Sequence, residues 1–215
     1  MPLLELREVR VGAGGKTLLH GVNLRLERGE IAGICGASGC GKTSLLRVMA
    51  GLDDALSGTV FLENLTPDNW TYPLFRRRVI YIEQRPILFD GTIEENLRRP
   101  FVYRSTTHAF PSKRAAQLLE QLQLPHDQSQ NARTLSQGQQ QRLALIRALL
   151  LSPLVLLLDE PTSALDSEAA HNVETLLQAE SQNGLTIVMV THDRAQAARL
   201  CHCICETSNW LKEIV

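Results

Sequence analysis

The sequence predicts an α/β fold built on a mostly parallel sheet, and three observations carry that prediction. Four short runs rich in β-branched residues, IAGIC, VIYI, LVLLL and TIVMV, recur along the 215 residues. Continuous apolar runs suit strands covered on both faces, whereas half-solvated strands alternate. Helical leucine spacing fills the intervals between them. A glycine-rich stretch, GASGCGKT, follows the first run and opens a helical pattern.

Taken in chain order, residues 1–30 alternate (LLELREVRV, GVNLRLERG) and read as antiparallel strands, an N-terminal β subdomain. IAGIC is the first parallel strand, and Leu45, Leu46, Val48 and Met49 give the next segment its helical face. From Gln84 to Ser152 no convincing strand is visible. PSKRAAQLLEQLQL repeats leucine at helical spacing from a start at Pro111 and Ser112, and QRLALIRALLL places Leu143, Ile146, Arg147 and Leu150 on one side. Segment 84–152 therefore reads as a helical subdomain inserted in one domain, between core-lobe segments 1–83 and 153–215.

Composition narrows the function. Hydrophobic residues make up 44% and charged residues 21%, with a net charge of -1, so no basic surplus points to nucleic acid. Residues 143–158 are apolar enough to suggest a membrane span, but Arg147 interrupts them and Ser152-Pro153 splits them into a buried helix and a buried strand. MPLLELREVR lacks the apolar core of a secretory leader. Five cysteines, an odd number, suit a reducing compartment.

Residues 36–43 match G-x-x-x-x-G-K-[ST] between a strand and a helix, the context a P-loop requires. Gly36, Ala37, Ser38, Gly39, Cys40, Gly41 and Ser44 are candidate phosphate-binding positions, because glycines let backbone amides approach an anion at a helix amino end. Lys42 would reach the outer phosphates, and Thr43 would offer a hydroxyl to magnesium. The core is thus a P-loop NTPase core. In LVLLLDEPTSALD, Asp159 and Glu160 end a buried strand on the side where open parallel sheets bind ligands. One carboxylate there can hold a metal, and its neighbour, pointing elsewhere, can polarise water. Gln84 and His192 follow two other β runs. Each says little alone; as a set, these residues are of the kinds a γ-phosphate site uses.

ARTLSQGQQQRLALIRALLLSP holds a polar, four-glutamine turn at the head of an apolar helix. Ser136, Gly138 and Gln139 offer a second anion-binding terminus. A chain with one complete P-loop has no use for two, unless the second serves the nucleotide of another copy.

GASGCGKT, Gln84, LSQGQ, LVLLLDEPTSALD and THD, in that order, resemble the ATPase domain of ABC transporters over essentially the whole chain. The resemblance implies a head-to-tail dimer holding two ATP molecules, each between the P-loop of one copy and the 135–139 signature of the other. It further implies that Lys42 and Thr43 bind phosphate and Mg2+, that Gln84 senses Mg2+ and the attacking water, and that Ser136 and Gly138 contact the opposite γ-phosphate. Asp159 would support the metal, Glu160 would be the general base, His192 would hold the γ-phosphate, and residues 163–166 would link the two sites.

Two departures from the family pattern stand out. Gln137 occupies a position that is usually Gly. No aromatic residue stands in VRVGAGGKTLL to stack on adenine, a contact that contributes about 1–3 kcal/mol per base. GTP is accordingly expected to support turnover within about tenfold of ATP. CHCIC invites a metal-site reading; on a strand, Cys201, Cys203 and Cys205 would share one face, a pattern that favours packing of small thiols over tetrahedral ligation. Trp70 and Trp210 read as packing residues.

The resemblance is greatest to bacterial Fet-type iron-export ATPases, with export suggested by LFDGTIEENL. It implies a separate transmembrane partner docking near the Gln84 loop, and a peripheral location on the cytoplasmic face of the inner membrane. A soluble ABC ATPase of an iron–sulfur assembly complex carries the same motifs and remains the alternative. The chromosome-structuring class needs long coiled coils for which 84–152 is too short.

Overall fold

The computed structural model describes residues 1–103, 109–125 and 127–211. The chain opens with strands β1 (Leu4–Ala13) and β2 (Lys16–Leu26), an antiparallel pair as the alternation predicts. It continues through β3 (Ile31–Cys35), the P-loop and helix α1 (Lys42–Met49) into β4 (Ser57–Leu62). Strand β4 pairs with the free side of β1 and completes a three-stranded antiparallel sheet of order β2-β1-β4. Helices α2 (Pro67–Trp70) and α3 (Tyr72–Arg78) lead into β5 (Val79–Ile82). Among the described residues, 84–152 contain α4 (Ile93–Arg98), α5 (Ser112–Gln121) and α6 (Gln137–Leu149), and no strand. The chain then alternates as β6 (Val155–Asp159), α7 (Ser167–Gln182), β7 (Thr186–Val190), α8 (Arg194–Leu200) and β8 (Cys203–Glu206).

The second sheet has the order β5-β6-β7-β3-β8, with every pairing parallel. Its three central strands are buried at every residue, which is why they read as continuous apolar runs. Their side chains divide by parity between two cores. Ala32, Ile34, Val155, Leu157, Val188 and Val190 face α1 and the antiparallel sheet. Ile31, Leu156, Leu158, Ile187 and Met189 face α6, α7 and the helical segment. A phosphate loop at the end of β3 is therefore gripped from both faces of the sheet.

Local signals set the helix starts. Thr92 and Glu95 form a reciprocal capping box at α4, as do Ser136 and Gln139 at α6, while Asp166 and Asp193 cap α7 and α8. The apolar stretch 143–158 divides as its sequence suggests, into the end of α6 and strand β6. Among the described residues no helix is long and apolar enough to cross a membrane.

The cysteine cluster departs from expectation. Cys201 is the C-cap of α8, and β8 begins only at Cys203, so the three thiols do not share a face. Cys205 packs against the core that holds α1, while Cys201 packs against the other core, near Gly33 and Ala197. Cys203 is exposed, so packing does not account for it. Strand parity fails because the helix end intervenes before the pleat is established. Among the described residues no group of three or more His, Cys, Asp or Glu is placed to hold a metal. Both tryptophans pack: Trp210 is buried in the core, and half-buried Trp70 donates its indole N–H to the Leu62 carbonyl at 3.0 Å.

Candidate functional site

Strands β3, β6 and β7 end at the same edge of the parallel sheet, and the loops that follow line a cleft of about 300 Å³. Ser38, Gly39, Gly41, Lys42, Thr43 and Ser44 come from the P-loop, Asp159 and Glu160 from the end of β6, and His192 from the end of β7; Gln84 follows β5. This is the strand-end crevice in which open α/β sheets bind ligands.

The P-loop bends tightly enough to need glycine at Gly41, whose φ is 104° and whose Cβ, if present, would lie 2.9 Å from the Leu18 side chain. Lys42 is 6% exposed, and its Nζ donates to the Gly36 carbonyl at 2.9 Å and the Ala37 carbonyl at 2.7 Å. The ammonium is thus curled inside its own loop, where phosphate oxygens could replace neutral carbonyls as stronger acceptors. Cys40 donates its thiol to Thr207 Oγ1 at 3.3 Å, tethering the loop to the segment after β8.

Behind the loop, Thr43 Oγ1 donates to Asp159 Oδ2 at 2.6 Å, and the Tyr81 hydroxyl donates to the same oxygen at 3.3 Å. Burial, seconded by the Asp159 charge, pushes the Tyr81 phenol well above its usual range, so it stays a donor. In the sequence Tyr81 is marked by nothing more than a polar tip within the run VIYI. A hydroxyl beside a carboxylate is the hard-oxygen pair that suits Mg2+.

A second group gathers around Glu160. Gln84 Nε2 donates to Glu160 Oε2 at 2.7 Å, and His192 Nε2 lies 2.9 Å from Oε1. Gln84 therefore engages the Glu160 carboxylate within the cleft that Thr43 and Asp159 also line. Glu160 itself has φ 49°, a left-handed backbone uncommon outside glycine. The adjacent carboxylates consequently point to different partners, Asp159 towards Thr43 and Glu160 towards Gln84 and His192.

Ser136, Gly138 and Gln139 lie outside this cleft. The Ser136 and Gln139 side chains are engaged in the α6 capping box, at 3.3 Å and 2.9 Å. Gly138 packs so closely on the 163–166 loop that a Cβ would meet the Ala164 carbonyl and Leu165 Cδ2, each at 2.9 Å. One chain thus brings together the P-loop, Asp159, Glu160, Gln84 and His192, and leaves the polar turn outside the cleft they line. From the antiparallel sheet the cleft receives Leu18, an aliphatic side chain.

A family model described as ABC transporter matches residues 19–163. The chain belongs to the ABC transporter ATP-binding family. It is 38% identical over 197 residues to the probable iron export ATP-binding protein FetA of Escherichia coli K12, covering 90% of this chain and 86% of that protein. It is 35% identical to the pyoverdine export ATP-binding/permease protein PvdT of Pseudomonas syringae pv. tomato, and 36% identical to the methionine import ATP-binding protein MetN of Francisella tularensis subsp. holarctica. These matches cover 92% and 91% of the chain but only 32% and 57% of those relatives, so the chain spans about a third of one and little more than half of the other. Exporters and an importer thus resemble it almost equally.

Among solved structures, an ATP-binding subunit of an ABC transporter superposes with a TM-score of 0.87 at 27% identity, over 95% of this chain and 85% of that one. The ATP-binding cassette MJ0796, a dimer in a post-hydrolysis state with ADP and Pi, superposes with 0.80 at 32% identity, over 94% and 93%. The P-loop NTPase fold is therefore that of the ABC ATPases, and the chain is an ATP-binding domain of this ATP-hydrolysing family.

Proposed function

We propose that this chain is the ATP-hydrolysing subunit of a membrane transporter, acting as a head-to-tail dimer beneath a transmembrane partner. The observation that carries the reading is the gathering of Gln84 and His192 on the two oxygens of Glu160, beside a P-loop whose Thr43 already touches Asp159. Lys42 leaves the Gly36 and Ala37 carbonyls to bind the outer phosphates, aided by the loop amides of residues 36–44 and the amino end of α1. Thr43 and Asp159 would hold Mg2+, which would supply neutralisation of the charge on the phosphate oxygens. Gln84 and Glu160 orient water against the γ-phosphorus, and Glu160 accepts its proton as the bond to the β-phosphate oxygen breaks and ADP leaves. His192 moves from Glu160 to the γ-phosphate. Ser136, Gly138 and Gln139 of the second copy close the site, because within one chain they lie outside it.

The helical segment 84–152 acts as an arm on the core formed by 1–83 and 153–215. Between them lies a groove of about 450 Å³, lined by Ile82, Glu83, Pro86, Ile87, Phe89 and Arg147 among others. Ile87 is 73% exposed there, an apolar side chain next to the Gln84 loop. We assign this groove to the transmembrane partner, which would hold the chain at the cytoplasmic face of the inner membrane. The near full-length similarity to FetA favours export of iron or another metal ion.

The test is co-purification from detergent-solubilised membranes. A multi-spanning protein should be retained by the wild type and lost with Ile87→Asp, while ATP hydrolysis by the isolated chain persists. Retention by Ile87→Asp would move the partner elsewhere; retention of soluble proteins alone would end the transporter reading.

A further inference from the structure

Gln141 is buried to 5% exposure on the second turn of α6, yet it belongs to none of the groups so far given a role. Its Nε2 donates to the Gln84 carbonyl at 2.9 Å and reaches the Glu160 carbonyl at 3.4 Å. Its Oε1 is fully enclosed and has no hydrogen-bond partner among the described residues. Turning the amide over would set that oxygen against two carbonyl oxygens, so the orientation is fixed by its acceptors. A buried polar atom left unsatisfied is costly, and natural cores retain one chiefly where another demand outweighs it.

That demand is visible in what the amide joins. The two main chains it touches carry the side chains that meet 2.7 Å apart, Gln84 and Glu160. Glu160 is the residue with φ 49°, and its carbonyl also accepts from Ser163 Oγ at 3.0 Å. At its head, α6 carries Ser136 and Gly138, the latter against the Ala164 carbonyl. A single rigid helix therefore connects the polar turn offered to a second copy with the backbone under the hydrolytic pair.

We propose that Gln141 is a positioning residue that ties helix α6 to the backbones of Gln84 and Glu160, so that engagement of the Ser136 turn sets the geometry in which those two side chains meet. This rests on the reading of Glu160 as base. A displacement of α6 is passed on through the Nε2 contacts, and the unpaired Oε1 leaves the amide without a competing anchor.

The test uses the purified full chain carrying Gln141→Leu, with Gln141→Met as an unbranched alternative should the first fail to fold. Both lack the donor and remove the unsatisfied acceptor, so the thermal midpoint should hold or rise. The expected result is a fall in kcat of about ten- to a hundredfold, with KM for ATP within about twofold of wild type. In the Gln84→Ala background the same change should cost no more than about a further twofold, because the meeting of Gln84 with Glu160 that Gln141 sets is already lost. An unchanged kcat would overturn the proposal. So would a loss that multiplies fully with Gln84→Ala, or one that tracks a lowered midpoint. Glu160→Gln separates the premise: if that variant still turns over, the assignment of the base fails independently of Gln141.

Discussion

At Glu160 the backbone is held at φ 49° while one carboxylate oxygen accepts from Gln84 and the other lies 2.9 Å from His192 Nε2. Strain of this kind persists where surrounding contacts over-determine it, here the Val190 carbonyl on its N–H and Ser163 on its own carbonyl. Replacing the carboxylate by the isosteric amide removes the group we propose as proton acceptor and leaves the shape. Glu160→Gln should lower the hydrolysis rate about 10²–10⁴-fold while ATP still binds, as measured by turnover beside equilibrium binding. The thiols differ in the same residue-by-residue way. Cys203 is exposed, and the hydrogen bond from Cys205 holds it below the usual thiol range against the effect of partial burial. Burial pushes Cys201 up to about 12. Brief alkylation near neutral pH, followed by peptide mapping, should label Cys203 well before Cys201, since the thiolate is the nucleophile; equal labelling would contradict the local geometry.

Among elements, the antiparallel sheet is fastened by a buried carboxylate. Glu5 on β1 accepts from Arg7 and from Arg25 of β2, each at 2.6 Å. The Arg7 hydrogen bond does most to lower the Glu5 carboxyl; burial opposes it, and Arg25 adds to the lowering, leaving it at about 2. A depressed folded value contributes stability present above the unfolded value of about 4.3 and lost as pH falls towards 2. Glu5→Gln should therefore flatten the decline of the denaturation midpoint between about pH 4.5 and 2; an unaltered acid limb would contradict this. Element by element, legibility followed burial. Strands β3, β6 and β7 were readable because every residue is buried, β5 because its apolar run is buried or half-buried, and β1 and β2 because they alternate. Strand β4 carries Gly58 and a mostly exposed first half, and β8 is a four-residue edge strand with exposed Cys203, so neither has the apolar run that marks a strand. The P-loop and Asp159–Glu160 were legible as local spacing. Tyr81 and Gln141 were not, since their importance lies in partners 78 and 57 residues away in the chain.

For the whole molecule, the decisive feature is what a single chain leaves apart. Lys42, Thr43, Asp159, Glu160, Gln84 and His192 line one cleft, while Ser136, Gly138 and Gln139 cap α6 outside it. Leu18, the cleft's contribution from the antiparallel sheet, would offer a base an aliphatic contact in place of an aromatic ring, so GTP should support turnover within about tenfold of ATP; a far larger preference for ATP would contradict that. The central claim is that two copies complete each other's sites. Lys42→Ala should disable the P-loop side of a site and Ser136→Arg the opposing side, so each variant alone should be inactive. In a mixed dimer, one site would combine two damaged halves and the other two intact ones. The most direct measurement is therefore the ATPase activity of the two purified variants, first separately and then combined. Activity that appears only on mixing is the predicted result, and a mixture as inactive as its parts would contradict the account.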